Sequence, residues 1–94
     1  MEVVINTCYG GFMLSVAAYR RIEEIKGHEI TDGYRTFDAF RSDPAVIQAV
    51  VELGEEANGG FAELKVVEIP DGIDWTIEEY DGIEWIAEVH RTWR

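Results

Sequence analysis

Bases are scarce in this sequence. Eight Lys+Arg stand against 19 Asp+Glu, a formal net charge of −11 over 94 residues, with an isoelectric point near 4.4. A chain so poor in cations cannot neutralise phosphates along a polyanion, which excludes sequence-independent binding to nucleic acid. The same balance opposes docking on an anionic membrane. Cysteine is rarer still. Cys8 is the only one, so no disulfide can close within the chain and a staple-dependent secreted scaffold is excluded. With two histidines and that one cysteine, a zinc site lacks its ligands. No apolar run approaches the ~18 residues that a membrane span requires. The start, Met1-Glu2-Val3-Val4-Ile5-Asn6, puts no basic region ahead of an apolar stretch and does not read as a signal peptide. A cytoplasmic protein is expected.

Apolar residues are plentiful by comparison. At 47% of the chain they argue against a disordered acidic tail and are enough for one modest core, so residues 1–94 are read as a single domain. The charge is uneven. Residues 1–41 hold six acids and five bases, a net of −1, whereas residues 42–94 hold thirteen acids and three bases, a net of −10. No base stands between Lys65 and Arg91.

Periodicity and punctuation give the elements. Val3-Val4-Ile5 is continuous and β-branched, a short buried strand over residues 2–6. Gly10-Gly11 interrupts regular structure. Ser15 then caps a helix whose apolar positions Leu14, Ala18, Ile22 and Ile25 share one face, and Gly27 closes it. Residues 28–42 read as a long connection that packs down through Tyr34, Phe37 and Phe40, with a short extended piece around 34–37. Asp43-Pro44 starts a second helix carrying Val46, Ile47, Val50, Val51 and Leu53, which frays over residues 54–58 and is stopped by Asn58-Gly59-Gly60. Residues 61–69 read as a strand. Residues 74–80 and 83–91 read as a hairpin about Asp81-Gly82. The expected fold is α+β: two helices packed on a small, largely antiparallel sheet, in the order β-α-α-β-β-β with a C-terminal hairpin. In that hairpin Tyr80 faces Ile83, Glu78 faces Trp85 and Thr76 faces Ala87. The other side pairs Ile77 with Ile86, Trp75 with Glu88 and Glu79 with Glu84. Glu79 opposite Glu84 is a like-charge pair that weakens a sheet, so the register slips or a cation is expected on that face.

Two constellations are candidates for binding, the first shaped like a site. Asn6-Thr7-Cys8-Tyr9-Gly10-Gly11-Phe12 lies between strand and helix, where backbone N–H groups converge on an anion and Tyr9 and Phe12 offer rings for stacking. The alternative is a tight turn that needs glycine. His90-Arg91-Thr92-Trp93-Arg94 is a basic-aromatic tail with two equal readings. Arg91 and Trp93 complete that anion site if the last strand lies beside the first, or Arg91 and Arg94 pair with strand acids and Trp93 caps the core. The second constellation is the acidic hairpin, Glu78, Glu79, Asp81 and Glu84, read as a partner-binding surface. The acids from Glu68 to Glu88 do not have the spacing of a calcium loop. No metal and no cofactor is expected. Cys8 reads as an inert thiol near a strand end, for want of a sequence-local base.

The stretches 6–15, 61–70 and 78–93, with their N-x-C-Y-G-G-F and E-E-Y-D-G-I-E-W-I-A-E-V-H-R-T-W runs, resemble a small family of phage and prophage proteins. The resemblance spans nearly the whole chain except residues 28–42. It implies a bacteriophage source and brings no catalytic residue with it. A non-enzymatic accessory protein that antagonises a host defence by binding is the expectation, acting in the host cell cytoplasm. Sequestration of a small phosphorylated, nucleotide-type ligand at Asn6, Tyr9, Gly10, Gly11, Phe12, Arg91 and Trp93 is the leading form. The other form is an acidic inhibitor that covers a basic or nucleic-acid-binding surface of a host defence protein. A homodimer that completes a pocket across a two-fold axis is also expected.

Overall fold

The computed structural model describes residues 1–89. Strand β1 (Glu2–Asn6) leads into helix α1 (Val16–Lys26). Two short helices follow, α2 (Asp32–Arg35) and α3 (Asp38–Ser42), then α4 (Pro44–Leu53) and a 3₁₀ turn (Gly54–Ala57). Strands β2 (Leu64–Glu68), β3 (Trp75–Tyr80) and β4 (Ile83–Glu88) complete the described residues. The fold is α+β with antiparallel pairing throughout, divided between two ladders, β1–β2 and β3–β4.

Local chemistry accounts for most of these boundaries. The Ser15 hydroxyl accepts the Ala18 N–H at the start of α1 and donates to the carbonyl of Glu56, which ties that helix to the 3₁₀ turn. Gly27 ends α1 in the left-handed region, φ 79°. Asp43 caps α4 through the Ala45 N–H, with Pro44 in the first turn, where its missing donor costs nothing. Residues 28–42 depart from the expectation. The piece around 34–37 is not extended: Asp32–Arg35 is a helical turn capped by Thr31, and a second begins after Phe37. Elements of four and five residues are too short to carry a helical period. The expected strand at 61–69 is confined to Leu64–Glu68, because Ala62 donates to Gly59 in a turn before the ladder begins.

Helices α1 and α4 pack on each other, and α3 and α4 pack on β1. Val4, Leu14, Ala18, Ile22, Phe40, Val46, Ile47 and Val50 form the buried cluster. Val3, Val4, Ile5 and Asn6 are all buried, so β1 is covered on both faces. Each such apolar side chain contributes about 1.5–3 kcal/mol of burial. The β3–β4 hairpin is different. It has no fully buried apolar residue, and its one buried side chain is a carboxylate, Glu84.

Candidate functional site

The edge of β1 explains that carboxylate. Thr7 N–H bonds the Glu63 carbonyl and Ile69 N–H bonds that of Met1, so the odd residues of β1 face β2. The even ones turn their backbone groups toward β4. Those groups are met by an ion pair instead of a strand. Glu84 accepts the Asn6 N–H at 2.9 Å, and Arg41 donates to the Val4 carbonyl at 3.3 Å. The two side chains bind each other in a fork, at 2.7 and 2.9 Å, a geometry that favours arginine over lysine. The Arg41 guanidinium also lies 3.3 Å over the Phe12 ring.

Asn6 completes the latch. Its side-chain amide donates to the carbonyls of Cys8 and Gly82 at 2.6 and 2.7 Å, and its oxygen accepts the Glu63 N–H at 2.8 Å. One buried asparagine thus joins β1, the loop that follows it, the start of β2 and the tip of the hairpin. Glu79 and Glu84 do stand opposite each other, with no slip in register. Their carboxylates diverge. Glu84 enters the latch, while Glu79 folds back to accept the Gly82 N–H at 2.8 Å. The cation expected on that face is Arg41 of the same chain, a residue that sequence reading had not placed there.

The Gly10-Gly11 loop is packed against backbone. A methyl group at Gly10 would lie 2.5 Å from the carbonyl oxygen of Phe61, and one at Gly82 would lie 2.5 Å from the Gly11 nitrogen. The hairpin tip therefore sits on the Tyr9–Gly11 backbone, and both approaches require glycine. Of the residues read as ligand-binding, Asn6 is committed to the latch, Phe12 is half-buried under Arg41, and Tyr9 remains exposed beside the loop. Arg91 and Trp93 lie outside the described residues. Cys8 is half-buried, its thiol donating to the Phe61 carbonyl. Two surface hollows lie elsewhere. One of about 570 Å³ is lined by Met1, Pro44, Ile47 and Val51, and one of about 350 Å³ by Lys26, His28, Ile30 and Tyr34. Among the described residues no cluster of three or more His, Cys, Asp or Glu is placed to hold a metal.

The hairpin has two unlike faces. Glu84, Ile77, Ile86 and Trp75 share the side that carries the latch. The opposite side carries the pairs Tyr80–Ile83, Glu78–Trp85 and Thr76–Ala87, followed by Val89, whose N–H donates to Asp74. On that outward side Tyr80 is 69% exposed, Val89 51% and Trp85 44%. A continuous apolar stripe therefore faces solvent, with Glu78 within it and Asp81 at its tip. Asp81 and Gly82 both take positive φ, 51° and 92°, the turn whose twist matches a hairpin. The four acids read as partner-binding consequently separate by role: Glu84 is internal, Glu79 closes the turn, and Glu78 and Asp81 are exposed.

No helix among the described residues is long and apolar enough to cross a membrane. No protein-family model, no curated protein and no solved structure matches this chain.

Proposed function

We propose that this chain is a binding protein rather than a catalyst, and that it presents the outward face of the β3–β4 hairpin to a cationic protein surface. One observation carries the reading: Tyr80, Trp85 and Val89 are exposed together on a rigidly latched hairpin whose surroundings are acidic. Aromatic rings give large contact area at low entropic cost. The net charge of −11 steers basic partners and repels nucleic acid. Small-ligand sequestration is the weaker form, because Gly10 serves close backbone approach, Gly11 serves a positive φ of 82°, and Asn6 is fully engaged. The resemblance to phage and prophage proteins makes a host defence protein the partner and the host cytoplasm the setting.

The test compares the wild-type chain with a Tyr80→Ser/Trp85→Ser variant as bait in defence-active bacterial cells, with Val51→Ser as an exposed apolar control. The reading expects a basic protein retained by wild type and control, lost from the double variant, and released as salt rises. A nucleotide copurifying in stoichiometric amount, with all three baits behaving alike, would overturn it in favour of sequestration.

A further inference from the structure

Beyond the face of the hairpin lies its edge. Tyr80 and Ile83 flank a two-residue turn and Val89 N–H bonds the Asp74 carbonyl, so the even residues of β3 are the ones bonded to β4. The backbone N–H and C=O groups of Trp75, Ile77 and Glu79 consequently point away from β4. No strand among the described residues pairs with that side.

The β1 edge and the start of the β2 edge are treated differently. The β1 edge is closed by Arg41 and Glu84, and the first residue of β2 is held by the Asn58 side chain, which accepts the Leu64 N–H at 3.0 Å. Edges left open in stable proteins are commonly blunted by lysine, proline or a bulge. β3 has none of these; its ladder with β4 is continuous, and its sequence is Trp-Thr-Ile-Glu-Glu-Tyr. Its only charges are Glu78 and Glu79. Such an edge repels a second copy of this acidic chain and matches a strand with bases opposite those two acids.

We propose, resting on the hairpin reading above, that the partner is recognised by strand addition: an extended, basic protein segment pairs with the outer edge of β3. Antiparallel pairing places arginine or lysine opposite Glu79 and Glu78, and β-branched residues opposite Ile77 and Trp75. Main-chain hydrogen bonds to Trp75, Ile77 and Glu79 supply the affinity, and the two glutamates supply the choice of sequence. The partner strand extends the same outward face that carries Tyr80 and Trp85, so edge and face act as one surface.

The probe is the capped peptide Val-Arg-Lys-Val-Thr-Val, with two controls: glutamate in place of both bases, and N-methylation at the residues whose donors would face β3. Amide hydrogen exchange of the intact chain is followed by NMR. At a free peptide concentration of ten Kd, the Trp75, Ile77 and Glu79 amides should exchange about tenfold more slowly by mass action. Thr76, Glu78 and Tyr80 should change less, and neither control peptide should protect. Absence of binding, binding without protection of those three amides, or equal binding of the N-methylated peptide overturns strand addition. So does protection of the three amides without peptide, which would mean the edge pairs with a second copy. If strand addition fails while Tyr80→Ser/Trp85→Ser still releases the captured basic protein, the face reading stands alone. If that variant keeps the protein, the face reading falls as well.

Discussion

Arg41, Glu84 and Asn6 carry more of this fold than their number suggests. Replacing one member of a buried ion pair leaves the other charge uncompensated, a loss of roughly 3–5 kcal/mol. Glu84→Gln should therefore remove much of the ~5–15 kcal/mol that stabilises a small domain, read as the midpoint of chemical denaturation. A buried pair can often be exchanged for apolar residues at little cost, and here it should not be. Arg41→Met/Glu84→Leu also strands the Asn6 N–H and the Val4 carbonyl, each worth about 1–3 kcal/mol when buried without a partner. The double variant should stay destabilised by at least about 2 kcal/mol on that account. Recovery to wild-type stability in the same denaturation would show that the pair does not close the β1 edge. Gly82→Ala is expected to be worse than its size implies. It combines a positive φ of 92° with a methyl group placed 2.5 Å from the Gly11 nitrogen, and its effect should appear as loosened exchange of the hairpin amides before global unfolding.

At the scale of elements, stability and binding separate. Tyr80 and Trp85 are both exposed, so Tyr80→Ser/Trp85→Ser should change the unfolding free energy by only about 0.5 kcal/mol per site while abolishing partner capture. A large stability loss would mean that this face packs inward. The hairpin register was legible in the sequence because Asp-Gly between alternating apolar runs allows few turns. The like-charge pair of Glu79 and Glu84 announced a missing cation. What could not be read was its identity, since Arg41 is 43 residues from Glu84 and lies in the stretch with the weakest local signal. Helices α2 and α3 were missed for a related reason. They are held by Thr31 capping and by Tyr34 and Phe40 packing edge to face, 5.6 Å between ring centres, rather than by any repeating pattern.

Across the whole molecule, pH enters through the contact between α1, α2 and α4. Burial pushes the Asp43 carboxyl up, but hydrogen bonds from Lys26, Tyr34 and the Ala45 backbone outweigh it and hold the group below its ordinary value. A carboxyl depressed in the folded state contributes stability that is present above its unfolded value, about 3.9. That contribution is lost as pH falls through the lower folded value. Thermal midpoints should thus drop below about pH 4. In Asp43→Asn, which keeps the helix cap and loses the Lys26 pair, the acid decline should be shallower. An unchanged decline would assign it to other acids. Burial, reinforced by Asp43, also raises the Tyr34 phenol to about 12. Ultraviolet titration should then find one of the four tyrosines ionising near 12, and Asp43→Asn should bring it down.

The sequence alone determined what local physics controls. Scarce bases excluded a general polyanion binder, caps and glycines bounded α1 and α4, and a two-residue turn set the hairpin register. Apolar periodicity chose the faces that α1 and α4 bury, except that Val51 of the second set is exposed. Only the tertiary structure decided where the acids went. Within one hairpin Glu84 became an internal anchor, Glu79 a turn clasp, and Glu78 part of an open face, because burial beside Arg41 depends on contacts dozens of residues apart. The same long-range packing laid the hairpin tip on the Gly10-Gly11 loop. A stretch with the composition of an anion site became a seat for backbone, and the surface left facing solvent was the outer side of β3 and β4.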